Sequence, residues 1–308
     1  CGSRGLGDVY KRQELQIVVK NVAFGFYDLN WRPGDVIATH IYNSAEAVLA
    51  HLAIQYFGGV TCLLDPLVTP SGMDYYVKDS GAKALITHLA GETASKHLSS
   101  YVDVINSSDV SEMAASAKTP VKKYELEPDE LSCIFYTSGT TSQPKGVMLS
   151  PGAYYNHVDI FHRGCYQYEP TDKLLCFVPF SHGFGSKSIF LPALQAGAAM
   201  VIMRSFHPLR VVEIIEQENI THMFGVPSHY QQLLRRDEFL PALRTLKAAF
   251  SAAALLKLET AHEWHEKIGF YLDEGYGLIE TSTGVAFRRN QMPLKLGHVG
   301  QYQADLID

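Results

Sequence analysis

The chain has 308 residues, of which 46% are hydrophobic and 19% are charged, and its formal net charge is -6. This composition is typical of a globular protein, and the length suffices for one large domain or two smaller ones. The absence of a basic stripe argues against nucleic acid as a partner, and no run reaches the roughly 18 unbroken apolar residues that a membrane-spanning helix needs. The five cysteines lack the spacing of zinc or redox pairs and are typical of free thiols, so we expect a cytoplasmic protein.

The two ends of the chain differ from the rest. Residues 1–13 show little apolar periodicity, and residues 8–13 resemble the translation of an adapter used in sequencing libraries, although a natural loop is an alternative. We expect residues 1–13 to form a non-native tail and residues 14–308 to form the domain. Residues 304–308 resemble a strand that stops before any turn, so we expect the natural protein to continue.

Short β-rich runs alternate with helical patterns from residue 35 onward. The spacing predicts strands at 36–40, 60–64 and 82–87 and helices at 44–56 and 70–78. The alternation resumes at 132–137, 174–178, 198–203, 211–218, 221–225, 228–235, 246–251, 255–267 and 270–272. Repeated strand–helix–strand units predict an α/β fold with parallel sheets covered by helices. Residues 106–130 are rich in Ser, Ala, Lys and Glu, which predicts a surface connection between two α/β layers.

The strongest local signal is a loop of glycine and hydroxyl residues directly after the strand at 132–137. Small residues let backbone N–H groups approach a polyphosphate, hydroxyls add donors, and Lys145 adds a positive charge. The spacing is not that of the Walker loop, because Pro144 precedes Lys145 and Gly146 follows it. An ordinary Ser/Thr/Gly turn is the alternative. The residues expected to contact a nucleotide here are Thr137, Ser138, Gly139, Thr140, Thr141 and Lys145.

This loop, with Pro144-Lys145-Gly146 at its end, resembles the signature of the AMP-binding superfamily, which includes acyl- and aryl-CoA synthetases, luciferases and peptide-synthetase adenylation domains. Other segments resemble the family's motifs in the same order along the chain, at 34–38, 58–66, 178–185, 225–228, 251–254, 275–281 and 297–300. The resemblance covers residues 14–308. It implies two αβ-layered subdomains with mainly parallel sheets, and the start of a barrel-like subdomain at residues 297–300.

The resemblance also implies which residues do the chemistry. His182, Lys145 and Glu280 are the expected catalytic residues, and Mg²⁺ is expected at Glu280 with Thr140. The adenine is expected to lie against small residues and an aromatic ring, with nucleotide contacts from Ala252, Ala253, Ala254, Tyr276, Gly277 and Thr281. The substrate pocket is expected to consist of His182, Phe184, Ser188, Gly225, Val226 and Pro227. A hydrogen-bonded core histidine is the alternative interpretation of His182.

Two departures from the family pattern bear on activity. Ser142 stands where the family usually has Gly, and Ile279 stands where it usually has a Thr whose hydroxyl contacts the α-phosphate. No Tyr-x-Thr-Gly-Asp motif for the ATP ribose is found, and neither is the small C-terminal domain that carries the adenylation Lys. We therefore expect an incomplete enzyme that binds nucleotide weakly.

The function implied is ATP-dependent activation of a small-molecule carboxylic acid, whether fatty, aryl or short-chain, to an acyl adenylate, followed by transfer to coenzyme A. A peptide-synthetase adenylation domain is a second hypothesis, but no Asp lies between Pro179 and Gly197 to hold an amino group. A noncatalytic nucleotide-binding homologue is a third, favoured by Ile279 and Ser142. The identity of the acid and the oligomeric state stay open.

Overall fold

A computed structural model describes residues 11–89, 98–116, 122–137, 143–161, 166–288 and 301–302. The chain forms two compact units, Cys1–Tyr154 and Tyr155–Asp308. Each contains a mainly parallel sheet flanked by helices, which confirms the predicted α/β class with two layered subdomains. The described residues contain no closed barrel, and residues 297–300, which predicted the start of one, lie outside them.

Unit 1 is built on a six-stranded sheet with the order β4-β3-β1-β2-β5-β6. Its strands are β1 (Val36–His40), β2 (Val60–Leu63), β3 (Ala84–Thr87), β4 (Asp103–Asn106), β5 (Cys133–Thr137) and β6 (Lys145–Leu149). Its helices are α1 (Arg12–Asp28), α2 (Ala45–Phe57), α3 (Pro70–Asp79) and α4 (Ser107–Ala115), and the next helix, α5 (Pro151–Ile160), contains the unit boundary. All neighbouring strands are parallel except β5 and β6.

Helix α2 shows how local sequence sets the boundaries of these elements. The Ser44 hydroxyl caps its first turn by accepting the Ala47 N–H at 3.3 Å. Gly58 ends it in the left-handed conformation, with φ 85°, which a glycine adopts without steric cost. Between these caps, Ile54 is fully buried in an apolar cluster that also receives Val22 of α1.

Two sequence predictions in unit 1 need revision. Residues 106–130 are not only a surface connection, because they contain helix α4, whose Val110 is fully buried. Helix α1 was not predicted and begins at Arg12, inside the expected tail, with Glu14 accepting the Lys11 N–H at 2.8 Å. Residues 1–10 lie outside the described part of the chain.

Unit 2 is built on a seven-stranded sheet with the order β13-β12-β11-β10-β9-β7-β8. Its strands are β7 (Lys173–Cys176), β8 (Ala199–Ile202), β9 (His222–Gly225), β10 (Ala248–Ser251), β11 (Asp273–Leu278), β12 (Thr283–Arg288) and β13 (Gln301–Tyr302). Its helices are α6 (Gly183–Gly185), which continues through a π-helical turn at Ser186–Phe190 into α7 (Leu191–Ala196), then α8 (Pro208–Glu218), α9 (Pro227–Leu234), α10 (Leu240–Leu243) and α11 (Leu258–Ile268). A 3₁₀ turn covers Asp237–Phe239.

Strands β7 to β11 of this sheet run parallel, whereas β12 and β13 are antiparallel to their neighbours. The strand predicted at 270–272 was placed too early, because β11 begins at Asp273. None of the helices in the described part of the chain has both the length and the apolar character needed to cross a bilayer.

Candidate nucleotide and acid site

In unit 1, the predicted phosphate loop connects the antiparallel strands β5 and β6. Thr137 ends β5 and Lys145 begins β6, and the two residues lie directly opposite each other in the ladder. The Lys145 side chain is exposed, so its ammonium group is available to an anionic ligand. Ser142, which departs from the family pattern, lies outside the described residues. So do the other predicted loop contacts, which are Ser138, Gly139, Thr140 and Thr141.

Two residues of α3 that the sequence analysis did not select hold the ends of this hairpin. The Tyr75 hydroxyl donates to the carbonyl oxygen of Pro144 at 2.7 Å. The Tyr136 hydroxyl donates to the Asp79 carboxylate at 2.7 Å. The sequence signal was an aromatic pair in a predicted helix, and nothing in it indicated partners 57 and 69 residues away.

In unit 2, the predicted site residues gather at one edge of the sheet. Parallel strands end at a common edge, where ligands of open α/β sheets bind. Residues 178–182 follow β7, and residues 252–254 follow β10. Gly225 is the last residue of β9, and residues 226–227 follow it. The register pairs Ser251 with both Gly225 and Glu274, and the Ala252 N–H donates to the Gly225 carbonyl at 3.2 Å. Three predicted segments are therefore neighbours at this edge.

His182 is exposed and caps the short helix α6. Its Nδ1 accepts the Phe184 N–H at 3.1 Å, and its carbonyl accepts the Ser186 N–H at 3.0 Å. Because Nδ1 is the acceptor, the proton of the neutral ring is on Nε2, which is then a hydrogen-bond donor. The side chain is thus oriented by the backbone at the sheet edge and is not enclosed in a core.

The residues after His182 lie against the segment that contains Glu280. A Cβ added at Gly183 would lie 3.7 Å from Cγ1 of Ile279. Phe184 and Ser188, both predicted for the acid pocket, are buried, and the Phe184 ring centroid is 5.8 Å from that of Phe250. The structure therefore brings the histidine motif and the 275–281 segment together within unit 2.

The expected adenine contacts are open to solvent. Ala253 and Ala254 are exposed, and Ala253 has φ 67°, a left-handed conformation that is uncommon for residues other than glycine. Tyr276 is 49% exposed, so this aromatic residue is accessible to a base. Gly277 is exposed on the same strand. The Thr281 hydroxyl donates to the Leu278 carbonyl at 3.0 Å and therefore closes the turn between β11 and β12.

Glu280 is an exposed carboxylate in this turn. Mg²⁺ that arrives with a nucleotide takes one or two protein carboxylates and fills its other positions with phosphate oxygens and waters. One exposed carboxylate fits that requirement. Across the described ranges, no three His, Cys, Asp or Glu side chains form a group that could hold a metal ion by themselves. The other expected ligand, Thr140, lies outside those ranges.

His229 is a further residue at this edge that the sequence did not indicate. Its Nδ1 accepts the Val226 N–H at 3.2 Å, and its ring stacks on Phe206 with centroids 4.1 Å apart. Burial lowers the pKa of His229 to about 4, so the ring is neutral at neutral pH. It supports the backbone at 225–227, which was predicted for the acid pocket.

A family model, curated proteins and solved structures match this chain. The family described as AMP-binding enzyme matches residues 10–305. Among curated proteins, 4-coumarate-CoA ligase 1 of Narcissus pseudonarcissus is 27% identical over an alignment 306 positions long, which covers 93% of this chain and 56% of that protein. 4-Coumarate–CoA ligase CCL1 of Humulus lupulus is 28% identical over 96% of this chain and 58% of its own length.

Solved structures are similar over nearly the whole chain. ATP-bound MatB from Rhodopseudomonas palustris superposes with a TM-score of 0.85 at 25% identity, covering 94% of this chain and 58% of that one. O-succinylbenzoate coenzyme A synthetase (MenE) from Bacillus subtilis, in complex with AMP, gives a TM-score of 0.83 at 25% identity, covering 94% and 73%. The chain therefore spans little more than half the length of the curated relatives it matches.

Proposed function

The chain belongs to the AMP-binding enzyme family, and from this premise we propose that it provides the nucleotide- and acid-binding part of a carboxylate–CoA ligase. The complete protein would join a carboxylic acid to coenzyme A at the expense of ATP. The observation that carries the proposal is the gathering of the 178–182, 225–227, 252–254 and 275–281 segments at one carboxyl edge of the unit 2 sheet. The named ligases among its relatives support it.

The chemistry explains why such residues are needed. A carboxylate is a poor acyl donor because oxide would have to leave. In the first step, a carboxylate oxygen attacks the α-phosphorus of ATP, a P–O bond breaks, and pyrophosphate leaves. In the second step, the sulfur of a thiol attacks the acyl carbon and AMP leaves, while the thiol proton passes to solvent. Both steps depend on positioning and on neutralising phosphate charge.

The proposed roles follow the environment of each residue. Lys145 and Thr137 would contact the β- and γ-phosphates, and the exposed ring of Tyr276 would stack on the adenine. Mg²⁺ would be held at Glu280 and would supply charge neutralisation to the phosphates. The Nε2–H group of His182 would donate to an oxygen of the acid or adenylate, whose apolar part would contact Phe184.

A noncatalytic nucleotide-binding homologue is the second candidate. One observation favours it: Ile279, which packs near Gly183 beside Glu280, provides no hydroxyl to the α-phosphate. The two candidates differ in whether pyrophosphate is released. A peptide-synthetase adenylation domain has no support of this kind in the described residues, since no acidic residue occurs between Pro179 and Gly197.

Two measurements test the proposal. With this chain, Mg-ATP binding is measured by calorimetry, and Lys145→Ala should weaken it about ten- to hundredfold, because a charge-assisted hydrogen bond contributes about 1.5–3 kcal/mol. Lys123→Ala is the control, since Lys123 forms an exposed ion pair with Glu125. With the complete reading frame, pyrophosphate release is assayed over a panel of acids, and Glu280→Gln should suppress it.

Release of pyrophosphate that depends on one class of acid would support the ligase. ATP binding without release for any acid would favour the noncatalytic homologue. Equal ATP affinity for the Lys145→Ala and Lys123→Ala variants would contradict the role of the loop.

A further inference from the structure

Helix α3 holds both ends of the loop between β5 and β6. At the entry, the Tyr136 hydroxyl donates to the Asp79 carboxylate at 2.7 Å. At the exit, the Tyr75 hydroxyl donates to the Pro144 carbonyl at 2.7 Å. Tyr75 and Asp79 are four residues apart on α3 and therefore lie on one face of the helix.

The aromatic rings around these bonds restrict their geometry. The Tyr136 ring packs edge-on against Tyr76, with centroids 4.7 Å apart and an interplanar angle of 89°. Tyr75 also contacts Tyr136, with centroids 6.4 Å apart. Burial and the bond to Asp79 raise the pKa of Tyr136, so its phenol remains a neutral donor over the physiological range.

Each anchored residue is the chain neighbour of a residue proposed to contact phosphate. Tyr136 precedes Thr137, Pro144 precedes Lys145, and Thr137 lies directly across the ladder from Lys145. The two hydrogen bonds to α3 thus restrain the residues next to Thr137 and Lys145, the last strand pair before the loop. A hairpin end held at two points loses less conformational entropy when a ligand binds to it.

We propose that Tyr75, Tyr136 and Asp79 are positioning residues that hold Thr137 and Lys145 where a polyphosphate binds. This inference rests on the proposed function, because it takes ATP as the ligand of the hairpin. The three residues act through the backbone and do not themselves contact the phosphates.

The test uses the 308-residue chain with Tyr75→Phe and Tyr136→Phe, which each remove one donor and keep the ring. Tyr101→Phe is the matched control, because it also removes a tyrosine hydroxyl that donates to α3, in this case to the Asp74 carboxylate. Amide hydrogen exchange of peptides covering β6, and the affinities for ATP and for AMP, are measured on each variant.

We expect exchange in β6 to accelerate about two- to tenfold in Tyr75→Phe, which loses a neutral hydrogen bond. In Tyr136→Phe, which loses a hydrogen bond to a carboxylate, the acceleration should be about tenfold or more. ATP affinity should fall by a similar factor while AMP affinity stays within about twofold, because AMP lacks the β- and γ-phosphates. The control should change none of these values.

Equal losses of ATP and AMP affinity would show a general structural role and overturn the inference. Unchanged exchange in both variants would show that α3 does not anchor the hairpin. If the unsubstituted chain binds no ATP, the proposed function and the phosphate role both fail, whereas the exchange rates still decide the anchoring.

Discussion

Ile279 and Gly183 face each other at the sheet edge where the acid and the α-phosphate are proposed to meet. Ile279 is half-buried beside Gly183, and the next residue is the proposed metal ligand Glu280. A branched aliphatic side chain at this place gives contact but no hydrogen bond. An anionic phosphate oxygen next to it must find its donors elsewhere or bind weakly.

Ile279→Thr should therefore strengthen binding of ATP and AMP to this chain. A hydroxyl that donates to a charged phosphate oxygen contributes about 1.5–3 kcal/mol, which corresponds to about ten- to hundredfold in affinity. Ile279→Val is the control, because Val has nearly the shape of Thr without its hydroxyl. Calorimetric titration of both variants with both nucleotides gives the comparison. Similar affinities for the Thr and Val variants would show that this position does not face the α-phosphate.

Single residues of the site differ in how far the sequence could predict them. Lys145 and Glu280 could be selected because their charges suit phosphate and metal and because they occur in recognisable segments. The bond between Tyr75 and Pro144 joins positions 69 residues apart, and no local pattern indicates it. The tautomer of His182 depends on where the fold places the Phe184 N–H, and residue types alone do not determine that position.

Helix α6 depends on a close backbone approach at Gly185. A Cβ added there would lie 2.1 Å from the carbonyl oxygen of Pro179 and 2.8 Å from that of Val178. Backbone atoms cannot move aside as a side chain can. The tight path of residues 178–185, which presents His182 at the sheet edge, thus requires glycine at this position.

Gly185→Ala should destabilise unit 2 by about 1–3 kcal/mol, the usual cost of overpacking. Helix propensity alone would favour Ala by about 1 kcal/mol, so a net loss identifies the clash as the cause. Gly183→Ala is the control, since its Cβ would first meet Cε of Lys187 at 3.2 Å, the end of a flexible side chain. Urea unfolding of both variants measures the difference. A stability of Gly185→Ala equal to or above that of Gly183→Ala would contradict the prediction.

Elements were predicted well where they are buried on both faces. Strand β1 has the predicted bounds, and β2 ends at Leu63, one residue before the predicted end. Both are short β-rich runs with almost every residue buried, as is typical of parallel strands. Helix α4 was missed because only Val110 and Ala114 of it are buried, so its pattern is mostly polar. Its start did carry a signal, since Asn106 and Asp109 form a capping box. Strand β11 was misplaced because its middle contains Gly275 and Gly277, which lower strand propensity.

Buried histidines occur in both units. Burial lowers the pKa of His40, His51, His222 and His229 to about 4, and it lowers that of His157 well below the ordinary value of 6.5. Neighbouring groups modify some of these values: His88 lowers the pKa of His40 and Asp65 raises it, while Lys187 lowers that of His157. For His51, burial is the sole cause, so this residue gives the clearest test.

These shifts make the folded chain sensitive to acid in a defined range. Between about pH 6.5 and 4 the unfolded chain binds protons on these histidines that the folded chain does not bind. The free energy of unfolding therefore rises with pH in this window. The contribution is complete above about pH 6.5 and is lost as the pH falls toward 4, below which both states are protonated.

We expect the urea midpoint, followed by tryptophan fluorescence, to fall as the pH is lowered from about 6.5 to 4.5 at constant ionic strength. Each buried histidine adds at most about 1.4 kcal/mol per pH unit to the slope of the unfolding free energy. His51→Gln should lower the slope by up to that amount, since Gln does not titrate, whatever it does to the stability at pH 7. His262→Gln is the control, because His262 is exposed on α11. The prediction fails if the midpoint does not change over this range. It also fails if the unfolding free energies of His51→Gln and His262→Gln have the same slope against pH. Either result would mean that the buried rings take up protons without unfolding.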